Sequence, residues 1–190
     1  MMFMTVCDCS TLSMDCYLQI EFEERLSDFR VSYVRDKDDF YTITRYKGGE
    51  EKLTVQLILS LPIDNQVYGS KNGNEVQAIG LFKFKFPSSR RKPDIFTFVF
   101  HNERKNKAEF IMISLDEFHR RHIKRYAGSF HWRIIKMVFW LMEDGYVYDI
   151  TNFSPEGEWF YLSQGVNGRM ADGTDIDYTT FLNCWQRLIS

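Results

Sequence analysis

The chain has little net charge, few turn-forming residues and no long apolar run, and each shortage excludes a class of protein. Its 190 residues contain 24 Lys and Arg against 26 Asp and Glu, a formal net charge of −2. This balance excludes a protein that coats nucleic acid by charge alone, so any such binding must come from a local patch. The 4 Pro and 11 Gly are too few for a collagenous or low-complexity chain. Because no run reaches about 18 apolar residues, we expect no membrane span.

Cysteine is scarce as well. The four cysteines are Cys7, Cys9, Cys16 and Cys184, and the spacing of the first three matches no standard zinc motif. The apolar N-terminus lacks the basic stretch and the apolar length of a signal peptide. We therefore expect unpaired thiols in a cytoplasmic protein.

The chain is rich in the residues that build a core. Hydrophobic residues make up 44% and aromatic residues 16%, which excludes a disordered chain. The length suits one domain, or one domain with an extension. No Gly-x-Ser-x-Gly elbow, P-loop or dinucleotide fingerprint occurs, so none of these motifs points to a reaction.

The spacing of apolar residues predicts an amphipathic helix near the N-terminus. Thr11 or Ser13 would cap its first turn, and acidic residues would lie on the face opposite to the apolar stripe. That stripe recurs in steps of three or four residues, which keeps it on one helix face. Its members are Met14, Leu18, Phe22, Leu26 and Phe29.

Alternating and β-branched segments predict strands in the middle of the chain. A Gly-containing turn at 47–50 predicts a hairpin, and residues 62–75 are typical of a polar loop. Ser114 and Glu117 form a capping box that opens a second helix over about 115–126. The predicted strands lie at 29–34, 40–44, 53–59, 76–86, 94–100 and 110–113.

The order of these elements predicts an α/β fold with a mixed central sheet flanked by helices. Residues 128–190 are rich in aromatic side chains and include a predicted closing helix at 179–188. We interpret the chain as an N-terminal arm (1–12), an α/β domain (13–127) and an aromatic-rich C-terminal extension (128–190) packed on the same domain.

Two neighbouring strands carry a pattern of a known family. An acidic helix precedes residues 39–43 (Asp-Phe-Tyr-Thr-Ile), and a Gly turn then leads to residues 55–60 (Val-Gln-Leu-Ile-Leu-Ser). This order resembles the PD-(D/E)XK nuclease superfamily, in which a helix with Glu precedes a strand opening with Asp and a strand ending in Glu/Gln-x-Lys. The later strands are similar too, so the resemblance covers about 13–125. It implies a restriction-endonuclease-like fold.

The resemblance also implies a magnesium-dependent site for phosphodiester hydrolysis. Asp39 and Gln56 would bind Mg²⁺, and Glu21 or Glu24 would be the acid of the helix. Carboxylate and amide oxygens are ligands that suit this ion. The bound ion would polarise the phosphate and lower the pKa of an attacking water.

The chain departs from the family pattern at Ile58, which stands where the motif has lysine. An isoleucine cannot orient water or neutralise a phosphate, so we expect hydrolysis to be weak or lost. Lys83 or Lys85, on the next predicted strand, could supply the missing amine. The simpler interpretation, which we favour, is that both lysines lie on the solvent-facing side of an alternating strand.

Two basic clusters predict contact with nucleic acid, DNA rather than RNA. Basic residues in the last turns of a helix also complement its dipole, which is the purely structural interpretation of the second cluster. Together the clusters could grip a phosphate backbone despite the neutral total. They comprise Arg90, Arg91 and Lys92, and then Arg120, Arg121, Lys124 and Arg125.

Two other functions stay open on the sequence. The first is a non-catalytic protein of the immunity or scaffold type, which would bind a protein partner through its C-terminal aromatic region. The second is a carbohydrate-active or ligand-binding role at Glu156, Glu158 and Trp159, where two carboxylates beside an aromatic ring could serve a glycosidase. The leading interpretation is a nuclease-like domain that binds nucleic acid.

Overall fold

The computed structural model describes residues 13–36, 39–46, 49–62, 70–71, 74–86, 91–126, 134–150 and 177–189. Its helices are α1 (Met14–Asp28), α2 (Leu115–Tyr126) and α3 (Gln186–Ile189), with a 3-10 helix at Thr179–Phe181. Its strands are β1 (Ser32–Arg35), β2 (Phe40–Tyr46), β3 (Glu50–Leu59), β4 (Ser70–Lys71), β5 (Asn74–Lys85), β6 (Ile95–Asn102), β7 (Lys107–Ser114), β8 (Ile134–Met142) and β9 (Val147–Asp149). None of these helices combines the length and apolar character needed to cross a membrane.

The strands form two sheets. A five-stranded sheet has the order β1-β2-β3-β6-β7, and only β3 and β6 run parallel in it. A second, antiparallel sheet has the order β4-β5-β8-β9. These sheets confirm a mixed α/β fold with a mixed sheet.

Helix α1 covers one face of the five-stranded sheet. The Ser13 hydroxyl accepts a hydrogen bond from the Cys16 N–H at 3.3 Å, which satisfies one free donor of the first turn. Leu18, Phe22 and Leu26 are fully buried against that sheet. The apolar stripe is therefore confirmed at its centre, whereas its end members, Met14 and Phe29, are exposed.

The other face of the five-stranded sheet is covered mainly by the antiparallel sheet. The prediction of a mixed sheet flanked by helices therefore holds only in part, because a sheet takes most of this second face. Strand β6 is apolar on both faces, and its Phe98 ring lies 5.1 Å from Phe82 of β5 and 5.5 Å from Phe139 of β8. Helix α2 adds Phe118 to this core. The layers thus run from α1 through the mixed sheet to the antiparallel sheet.

Two local predictions differ from the structure. The predicted loop at 62–75 contains β4 and the start of β5, while its residues 63–69 lie outside the described part. The predicted closing helix is broken at Asn183, where φ is +49°, a value that helices exclude. The Asn183 Oδ1 accepts a hydrogen bond from Phe110 N–H at 3.1 Å, so this residue caps the outer edge of β7.

Candidate nucleic-acid interface

Asp39 lies in the turn before β2, beside the end of β3. Its φ is +60°, and its backbone carbonyl accepts a hydrogen bond from Leu57 N–H at 2.8 Å. The carboxylate lies 3.6 Å from the Arg35 guanidinium, and 54% of the side chain is exposed. The sequence therefore placed Asp39 correctly at the strand opening, and its carboxylate is paired with an arginine there.

Gln56 and Ile58 point toward the antiparallel sheet. In the parallel pairing with β6 they lie opposite Phe96 and Phe98, both of which belong to the core between the sheets. Ile58 is only 5% exposed, and the buried Gln56 Oε1 has no hydrogen-bond partner among the described residues. Ile58, which stands where the PD-(D/E)XK motif has lysine, is thus part of the core between the two sheets.

Glu21 and Glu24 lie on α1, which packs on the opposite face of the five-stranded sheet. The sheet therefore separates these carboxylates from the Gln56 side chain. Across the described ranges, no three His, Cys, Asp or Glu residues cluster as metal ligands would. The residues named by the resemblance do not fit a magnesium ion in this arrangement, and we derive no hydrolytic step from them.

A carboxylate that the resemblance did not select has a defined role. Glu23 accepts a hydrogen bond from the Tyr41 hydroxyl at 2.7 Å. Burial, together with this hydrogen bond and the charge of Glu23, raises the pKa of Tyr41. The pair ties α1 to β2, which is a structural function.

The basic helix α2 turns one of its arginines inward. Arg121 is 7% exposed, and it donates to the Glu117 carboxylate and to the Asp177 carbonyl, each at 2.6 Å. Its guanidinium also lies 4.9 Å from the centre of the Tyr178 ring. Arg120 is half exposed and donates to the same Glu117. We infer that Arg121 holds the C-terminal segment on α2, although the sequence grouped it with the nucleic-acid contacts.

The cap of α2 confirms half of the predicted capping box. The Ser114 hydroxyl accepts a hydrogen bond from Glu117 N–H at 3.3 Å. The Glu117 side chain binds Arg120 and Arg121. Hydrogen bonds from Arg120 and then Arg121 lower the pKa of Glu117 from 4.5 to about 2, against the opposing effect of burial.

This pKa predicts a stability change in acid. The folded pKa of Glu117 lies below its ordinary value, so its stabilising contribution is present above about pH 4.5 and is lost as the pH falls toward 2. Glu117→Gln should therefore be less stable than the wild type at pH 7, and the difference should shrink below about pH 4.5. Urea unfolding of the wild type and of Glu117→Gln, from pH 7 down to about pH 2.5, measures this difference in stability. A difference that stays constant down to about pH 2.5 would contradict the prediction.

Of the other predicted cationic contacts, one is paired, one is exposed and three have side chains outside the described part. Arg91 pairs with Asp36 at 2.9 Å and stacks 4.3 Å above the Phe40 ring, whereas Lys92 is exposed. Arg90 and the side chains of Lys124 and Arg125 lie outside the described part, as do Glu156, Glu158 and Trp159.

The clearest cationic surface is the outer face of the antiparallel sheet. Lys83 of β5 lies directly opposite Lys136 of β8, and Lys85 lies opposite Ile134. All three lysines are exposed. Within the described ranges, no carboxylate pairs with any of them. Like charges directly opposite each other destabilise a sheet, so the Lys83–Lys136 pair lowers the stability of the antiparallel sheet. We call Lys83, Lys85 and Lys136 the lysine face.

Aromatic rings continue the same outer face. Trp140 lies opposite Tyr148, about 13 Å along β8 from Lys136 at the usual rise of a strand. The Tyr146 and Tyr148 rings stack with centroids 6.0 Å apart, and Tyr146 is exposed. Burial, followed by the charge of Asp177, raises the pKa of Tyr148 to about 12, so its hydroxyl stays neutral at physiological pH.

Most of this surface was missed on the sequence. Lys83 was singled out as a substitute catalytic lysine, but its partner across the strands, Lys136, was not. The sequence did contain a signal for Lys136, because it is the one charged residue in the otherwise apolar run 134–142. Pairing β5 with β8 was needed to bring the two lysines together.

Comparisons with family models, with curated proteins and with solved structures found no match for this chain. Function must therefore be inferred from the described side chains. Among them, the lysine face brings together three exposed lysines that have no carboxylate partner in the described ranges, with rings suited to stacking further along the same sheet face.

Proposed function

We propose that this protein binds single-stranded nucleic acid on the outer face of its antiparallel sheet. The observation that carries the proposal is the exposed pair Lys83 and Lys136, which lie opposite each other without a carboxylate partner in the described chain. A phosphate between the two ammonium groups would remove their repulsion. Each contact would also release a condensed counterion, which drives the binding of nucleic acids.

The rings near the lysine face explain why a single strand fits better than a duplex. Proteins that bind single strands combine a cationic track with aromatic side chains on which bases stack. Tyr146 is exposed and stacked on Tyr148, and Trp140 lies across from Tyr148. The bases of a duplex are already paired and stacked on each other, so they could not use these rings.

On this proposal the fold derives from that of the PD-(D/E)XK nucleases, which the sequence resembles. An acidic helix packed on a sheet, with Asp39 beside β3, is compatible with a restriction-endonuclease-like core. On this proposal the chain is a relative that binds nucleic acid and has lost magnesium-dependent hydrolysis. The core position of Ile58 supports the loss, because a lysine could not reach solvent from it without disturbing the packing between the sheets.

The test compares charge reversal on two surfaces. Lys83→Glu/Lys136→Glu should weaken binding of a fluorescent oligonucleotide of about 15 nucleotides by at least about tenfold, as measured by anisotropy. The slope of the logarithm of the binding constant against the logarithm of the salt concentration should become less negative by about 1.4. This is the change expected when two phosphate contacts on a single strand are lost. DNA and RNA versions of the oligonucleotide show which polymer is preferred.

The control is Lys52→Glu/Lys105→Glu, which makes the same change in net charge at exposed positions elsewhere. We expect it to weaken binding by less than about threefold. Equal losses in the two double variants, or no binding by the wild type, would overturn the proposal. Cleavage that requires Mg²⁺ and disappears in Asp39→Ala would overturn its non-catalytic part.

A further inference from the structure

In the described chain, its own segments pair with the edge strands β7 and β9 and with the part of β5 that lies beyond β4. Leu182 and Asn183 cover β7. On the antiparallel sheet, Tyr178 N–H donates to Val147 of β9 at 2.8 Å, and Leu61 N–H donates to Leu81 of β5 at 2.7 Å. The outer edge of β1 differs, since no strand in the described ranges pairs with it.

The register shows which groups of β1 face outward. Asp36 N–H donates to the Phe40 carbonyl at 2.8 Å, so Asp36 forms a hydrogen-bonded pair with β2. In an antiparallel ladder, hydrogen-bonded pairs alternate with pairs that are not hydrogen-bonded. Val34, two residues before Asp36, therefore also directs its N–H and C=O groups toward β2. The N–H and C=O groups of Tyr33 and Arg35 therefore face the open edge.

An acidic groove runs beside this edge. It has a volume of about 500 Å³ and lies between α1 and β1. Tyr33 lines it from the strand, while α1 contributes apolar, hydroxyl and carboxylate groups. The lining residues of α1 are Ile20, Glu23, Glu24, Ser27 and Asp28.

We propose that β1 accepts an extended basic segment of a partner protein as an additional strand of the five-stranded sheet. The backbone of Tyr33 and Arg35 would supply the ladder hydrogen bonds. Alternate side chains of the added strand would point toward α1, where Lys or Arg would meet Glu24 and also Asp28, whose exposed pair with Arg25 is 3.9 Å long. The proposal stands independently of nucleic-acid binding, because it uses the opposite side of the molecule.

The charges argue against two other occupants. A second copy of this chain, paired β1 to β1 about a two-fold axis, would bring two acidic grooves together, which costs binding energy. Nucleic acid would be repelled by the same carboxylates. A basic peptide is the occupant that gains from both the open backbone and the charge.

The first arm of the test uses a synthetic peptide of about eight residues in which Lys alternates with Thr or Val. Isothermal titration should detect its binding, and the Tyr33 and Arg35 amides should gain protection from hydrogen exchange in the complex. A peptide that is N-methylated on alternate residues, at the amides that face β1, should bind at least about tenfold more weakly, as should the peptide with Glu in place of Lys.

The second arm changes the protein. Glu24→Lys/Asp28→Lys should weaken peptide binding at least about tenfold, whereas Glu103→Lys/Glu143→Lys, at exposed positions in other turns, should leave it within about threefold. No binding, equal loss in the two variants, or binding that N-methylation does not weaken would overturn the proposal. Self-association through β1 in sedimentation experiments would overturn it in favour of a second copy.

Discussion

Replacing Phe98 by Ala is expected to lower the free energy of unfolding by about 3–5 kcal/mol. Phe98 is fully buried between the two sheets. Its ring centre lies 5.1 Å from that of Phe82 and 5.5 Å from those of Phe84 and Phe139. The substitution would remove a ring that other aromatic rings surround, and the tightly packed strands could close only part of the cavity. Since domains of this size have a stability of about 5–15 kcal/mol, much of the total would be lost.

Urea unfolding followed by tryptophan fluorescence measures this change. Phe29→Ala is the matched control, because the same atoms are deleted at an exposed position near Trp185. We expect the control to cost less than about 1.5 kcal/mol. Similar losses for the two variants would contradict the sheet-on-sheet core.

The second large effect is expected at Arg121. Replacing it by Met keeps much of the side-chain length but removes the donors to Glu117 and to the Asp177 carbonyl. Breaking a buried ion pair from one side costs about 3–5 kcal/mol, because the remaining charge loses its partner. Arg120 still binds Glu117 in this variant, so we expect a value near the lower end.

Arg120→Met provides the control for charge and position. Arg120 is half exposed on the same carboxylate, and exposed pairs contribute about 0–1 kcal/mol. Thermal unfolding of the two variants should therefore separate them clearly. If Arg121→Met unfolded like the wild type but lost oligonucleotide binding, Arg121 would be a ligand contact, as the sequence interpretation had it.

The elements that local pattern determines were predicted well. The stripe through Leu18, Phe22 and Leu26 indicated α1, because a helix brings every fourth residue to one face. The alternation of Phe and Lys in β5 indicated that Lys83 would lie on the solvent-facing side of the strand. In each case the physical rule acts over a few residues, so a single sequence contains the information.

The candidate site was predicted poorly because it depends on distant pairings. A strand pattern does not say which layer covers which face, so Gln56 could not be assigned to the side away from α1. Lys83 and Lys136 are opposite each other only after β5 pairs with β8. Arg121 could have been separated from its basic neighbours, since it follows Phe118 by three residues and so shares the buried face of α2.

The segment 177–189 has a consequence for folding during synthesis. It covers the edge of β9 through Tyr178, covers the edge of β7 through Asn183, and places Trp185 against Phe22 of α1. Until this segment docks, a growing chain would expose two strand edges, which are templates for wrong pairing. Closing them requires contacts across long stretches of sequence, and such contacts form slowly. The nascent chain is therefore most vulnerable to aggregation until residues 177–189 have emerged from the ribosome and docked, and that interval is when a chaperone would matter most.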